Sequence, residues 1–79
     1  MTQRKVANSL KGLIGEWTTV REELAELVAY FMTDDDEQVR VEDFGEYIAV
    51  EFEDDNGEDR EVLVYCENAG STWYISKVA

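Results

Sequence analysis

The chain contains no histidine, so it lacks the side chain most often used as a general base near neutral pH and the commonest transition-metal ligand. It has one cysteine, Cys66, which rules out an internal disulfide. With no imidazole to activate it, Cys66 reads as a small buried hydrophobe at an inward strand position. Ser9, Ser71 and Ser76 also lack a base partner. No phosphate-binding glycine loop is present, because Gly12 and Gly15 lie inside a helical stripe rather than after a strand. Lysine is scarce, limited to Lys5, Lys11 and Lys77, and direct binding of nucleic acid needs basic side chains to neutralise phosphates. No run is long and apolar enough for a signal peptide or a membrane span, so a cytoplasmic location is expected. These absences together predict a protein that is not an enzyme and holds no cofactor or metal.

What is present is a core and a charge. Seventy-nine residues suffice for one domain and not two. The apolar fraction of 44% and the aromatic fraction of 11% exceed what a disordered chain carries. The formal charge is −12, which implies appreciable self-repulsion in so short a chain. The segment from Asp34 to Glu67 holds 15 acidic residues against Arg40 and Arg60. The remainder is close to neutral.

Apolar residues recur at helical spacing through the first third: Val6, Leu10, Leu13, Trp17, Val20, Leu24, Leu27 and Phe31. One helix of that length would run about 45 Å, too long beside a small core. Gly12, Gly15 and Thr18-Thr19 mark the break, and Thr19 with Glu22 fits a capping box. The pattern predicts two helices, about 3–14 and about 20–32.

After Asp34-Asp35-Asp36-Glu37 the period changes to alternation in four segments, which predicts four strands within about 38–78. Val39 and Val41 belong to the first, Ile48, Val50 and Phe52 to the second, Val62, Val64 and Cys66 to the third, and Trp73 and Ile75 to the fourth. Keeping core residues opposite one another places two-residue loops at Phe44-Gly45 and Ala69-Gly70. The first pairs Val41 with Ile48 and Val39 with Val50; the second pairs Cys66 with Trp73 and Val64 with Ile75. The middle turn needs three residues, Asp55 to Gly57 with Gly57 left-handed, which pairs Val50 with Val62 and Ile48 with Val64. The expected fold is α+β, a single domain over 1–79: two N-terminal helices packed on one face of a four-stranded antiparallel meander, with the third strand central. The opposite face then shows Tyr47, Ala49, Leu63, Tyr65 and Tyr74 among Glu42, Glu51, Glu53, Glu61 and Glu67.

Carboxylates in exposed runs do not suit acid-base catalysis, which needs one of them in an apolar cleft. The run Asp54-Asp55-Asn56-Gly57-Glu58-Asp59 is rich in oxygen ligands but lacks EF-hand spacing, and turn chemistry accounts for it. Acids two apart on a strand face lie about 6.6 Å apart and neighbouring strands about 4.8 Å apart, so a sheet can present phosphate-like spacings. The candidate partner-binding residues are therefore Asp34, Asp35, Asp36, Glu37, Glu42, Asp43, Glu46, Glu51, Glu53, Asp54, Asp55, Glu58, Asp59, Glu61 and Glu67. Glu51, Glu53, Asp54, Asp55, Glu58 and Asp59 are expected to lie closest together.

In size, concentrated acid and layout of two helices before a sheet, the chain resembles the small acidic phage-encoded DNA-mimic inhibitors of the anti-CRISPR type. The stretch from Asp34 to Glu67 carries that likeness, which is one of overall character without a motif. The resemblance implies a monomeric inhibitor in the host-cell cytoplasm. It would block the DNA-binding or PAM-reading surface of a CRISPR effector, or of another basic nucleic-acid-binding protein. The alternative is an acidic-surface interaction domain of a halophilic organism with no inhibitory role. The balanced N-terminal third speaks against that, since adaptation to salt should acidify the helices as well.

Overall fold

The structure, a computed structural model, describes residues 2–33 and 39–79. Two helices pack with a five-stranded antiparallel sheet that curls around them. The elements are α1 (Gln3–Leu10), a 3₁₀ turn (Lys11–Leu13), β1 (Trp17–Thr18), α2 (Arg21–Thr33), β2 (Arg40–Asp43), β3 (Tyr47–Glu53), β4 (Asp59–Ala69) and β5 (Thr72–Val78). The strand order is β1-β5-β4-β3-β2. The long strand β4, the third of the sequence-predicted strands, is central. The curl brings α2 against β1 and β5 from one edge of the sheet and β2 from the other.

Helix α1 starts where the Thr2 hydroxyl accepts the Lys5 amide proton, the ordinary use of threonine at an N-cap. It buries Val6 and Leu10, and the 3₁₀ turn buries Leu13. Leu24, Val28 and Met32 of α2 follow at four-residue spacing. These residues close over Ile48, Val50, Phe52, Val62, Val64, Ile75 and Val78 from the sheet to make the core.

The helical stripe breaks between the 3₁₀ turn and α2, in the stretch that holds Gly15 and Thr18-Thr19. Gly15, at φ 97°, turns the chain out of the helical path. Its amide then donates to the Ile75 carbonyl, and the Ile75 amide donates to Glu16. Trp17 and Thr18 thereby become a fifth strand, paired with Tyr74 and Trp73, in the stretch expected only to separate the two helices. Trp17 is 65% exposed and Val20 is also exposed. The expected capping pair of Thr19 and Glu22 is replaced as well. The Thr18 hydroxyl accepts from the Val20 amide and donates to the Glu23 carboxylate at 2.7 Å.

The β3–β4 register is the expected one, Val50 opposite Val62 and Ile48 opposite Val64, with Gly57 left-handed at φ 81°. The other two hairpins are displaced. Val41 faces Val50 rather than Ile48, because the turn is closed by the Phe44 amide on the Tyr47 carbonyl and so loops at Gly45-Glu46. Cys66 faces Ile75 rather than Trp73, and Val64 faces Val78 rather than Ile75. Here the loop is Gly70-Ser71, and a bulge at Tyr65/Cys66 adds one residue on β5. The bulge returns Val78 to the core face, three residues after Ile75 instead of two.

Candidate functional site

Of the fifteen acidic candidates, Asp34, Asp35, Asp36 and Glu37 lie outside the described residues. The structure sorts the others by what their carboxylates touch. Asp43 serves the fold. Its two oxygens take Arg21 Nη1 and Nη2 at 3.1 and 2.9 Å, while Oδ1 also accepts the Gly45 amide and Arg21 Nη2 reaches the Gly45 carbonyl at 2.7 Å. The Arg21 guanidinium lies 5.9 Å from the centre of the Trp73 ring. Its side chain is only 11% exposed, and Nε has no hydrogen-bond acceptor.

Asp54 is occupied at the β3–β4 turn. Its Oδ1 accepts the amides of Asn56 and Glu58, and Oδ2 takes Arg60 Nε at 2.9 Å. The Arg60 bond, followed by the Glu58 amide, holds the Asp54 carboxyl below its usual range. Arg60 also pairs with Glu58 at 2.6 Å. The densest run of oxygen ligands in the chain is thus largely engaged by its own turn, and no cluster suited to a metal ion occurs among the described residues. Asp55 stands exposed at the tip.

The remaining acids on β3 and β4 form an array. Glu51 is directly opposite Glu61, and Glu53 is directly opposite Asp59, all on the face turned away from the helices. Cross-strand neighbours of this kind lie about 5 Å apart and successive ones along a strand about 6.6 Å apart. Like charges directly opposite one another destabilise a sheet. The cation nearest to hand is Arg40, whose Nη2 meets Glu51 at 3.1 Å. Strand β2 begins at Arg40, opposite Glu51, and the ladder to the chain end closes at Leu63 and Ala79. Beyond those points, among the described strands, β3 and β4 continue as a two-stranded ribbon.

The far face is zoned more than it is mixed. Ala49 is fully buried there, beside half-buried Tyr47, Leu63 and Tyr65. The rings of Phe44 and Tyr47 are 5.2 Å apart, those of Tyr47 and Tyr65 5.9 Å, and Lys77 lies 5.3 Å from the Tyr65 ring. This small apolar layer fills one end and the carboxylate array the other. Glu42 and Glu67 border it, opposite Ala49 and Tyr74, and Glu46 sits exposed in the β2–β3 turn.

Cys66 is half-buried against the core, and burial pushes its thiol pKa up, which suppresses the reactive thiolate. No helix among the described residues is long and apolar enough to cross a membrane. No protein-family model matches the chain, and searches of curated proteins and of solved structures give no match.

Proposed function

We propose that this chain is an acidic protein-binding inhibitor. It presents DNA-like charge to a basic nucleic-acid-binding protein, such as the PAM-reading surface of a CRISPR effector, and uses no cofactor or catalytic step. The observation that carries this reading is the opposed pairs Glu51/Glu61, at the base of the β3–β4 ribbon, and Glu53/Asp59, on it. Folding gains nothing from placing like charges across a ladder, whereas a partner rich in arginine and lysine gains encounter rate and specificity from them.

The test is competition. The wild-type chain should displace DNA from a CRISPR effector complex. A variant with Glu51, Glu53, Asp59 and Glu61 all changed to lysine should lose that ability by about a hundredfold or more while melting as the wild type does or later. Wild type that never competes with DNA, or a lysine variant that still inhibits, removes the mimic reading. A melting midpoint that climbs only in molar salt favours the halophilic interaction domain instead.

A further inference from the structure

A second surface lies away from the acidic ribbon, at the other edge of the sheet. Between β1 and α2 runs an open groove of about 460 Å³ whose walls include Trp17, Leu27 and Tyr30 and whose rim carries Glu16, Glu23 and Glu26. Trp17 and Tyr30 are two of the most exposed large apolar side chains among the described residues. The Thr18 hydroxyl bonded to Glu23 ties one wall to the other, so the groove exists before anything enters it. A preformed cleft avoids the cost of ordering its walls on binding.

We propose that this groove docks a basic amphipathic segment of a partner protein. An apolar residue of the segment would pack against Trp17, Leu27 and Tyr30 while its arginines pair with Glu16, Glu23 and Glu26. Charge selects this occupant. A second copy of the chain would bring another −12 against the same glutamates, and like-charge juxtaposition opposes that association. An anionic nucleic acid or lipid surface is repelled for the same reason. Exposed tryptophan and tyrosine bounded by charge are the composition of interface hot spots, and an amphipathic helix laid into an apolar groove is a standard mode of peptide recognition. The proposal does not depend on the function assigned to the ribbon.

The probe is a synthetic helical peptide with arginine on one face and leucine on the other, titrated into the isotope-labelled full chain. A peptide with serine replacing each leucine serves as the charge-only control. Amide shifts should centre on residues 16–30 with the first peptide and not with the control. Trp17→Ala should weaken binding about tenfold or more, and so should Glu26→Lys, an exposed rim change that leaves the walls intact. The proposal fails if shifts with the leucine peptide are confined to the β3–β4 ribbon. It also fails if neither variant alters affinity, or if sedimentation reveals a dimer of the chain that Trp17→Ala dissociates.

Discussion

Two turns of this molecule are made by the same local device and put to different ends. At β2–β3 and at β3–β4 an aspartate accepts the amide two residues on, a glycine with positive φ lies within the turn, and an arginine grips the same carboxylate. In the first turn the arginine is Arg21, from α2, and is nearly buried; in the second it is Arg60, six residues along the same hairpin and 43% exposed. The origin of the arginine thus decides whether a turn is clamped to the helices or stands by itself. Asp43 binds the sheet to α2, whereas Asp54 only stiffens the ribbon that carries the acidic array.

That contrast is broken most directly at Asp43. Asp43→Ala leaves the Arg21 guanidinium without a counter-charge in a mostly buried position, and we expect a loss of about 2–3 kcal/mol in urea unfolding. A loss below about 0.5 kcal/mol, the usual size for a surface change, would mean that the clamp does not hold the two layers together.

At Asp54 the expected effect is confined to the tip. Because its carboxyl pKa is lowered in the folded state, its contribution is fully present above the unfolded value near 3.8. It is lost as pH falls through the lower folded value. Amide protection at Asn56 and Glu58 should persist until the pH is below 3.8 and should be lost in Asp54→Ala, with the core amides unchanged. Loss of core protection in that variant would show that the ribbon is not independent of the rest.

The smallest effect sharpens the contrast from the side of charge. Raising ionic strength from near zero to about 0.15 M shortens the Debye length to roughly 8 Å and should lift the melting midpoint by about 2 °C. Glu51→Gln with Glu61→Gln should flatten that rise, since it removes the opposed pair next to Arg40. An unchanged salt response in the double variant would assign the repulsion to other carboxylates.

Much of this was legible in the sequence, and the gaps have physical causes. Alternation reports which face a strand residue takes, but a slip of two residues preserves every face. The side-chain pattern therefore could not tell a Phe44-Gly45 loop from Gly45-Glu46, or Ala69-Gly70 from Gly70-Ser71. At the middle hairpin a two-residue loop at Asn56-Gly57 would put Phe52 against Glu61, so the pattern itself selects the three-residue loop, a register that sets Glu51 opposite Glu61 and Glu53 opposite Asp59. Gly15 and Thr18-Thr19 marked the break in the helical stripe, but Trp17 and Val20 keep its spacing while their side chains lie exposed, so spacing gave no sign of the strand at Trp17-Thr18. Ile75 and Val78, three apart in a strand, hinted at the bulge. Arg21 with Asp43 had no local signature, since 22 residues separate them and only the curl of the sheet brings them together.

The lengths of the strands bear on how the protein behaves in company with itself. The inner strands run to 7, 11 and 7 residues, but the two at the margins have only 2 and 4. The longer margin, β2, is Arg-Val-Glu-Asp. An open sheet usually invites another chain to add a strand along its edge, and short, charged margins deny it a template. Short margins of this kind work against edge-to-edge pairing between copies of a sheet.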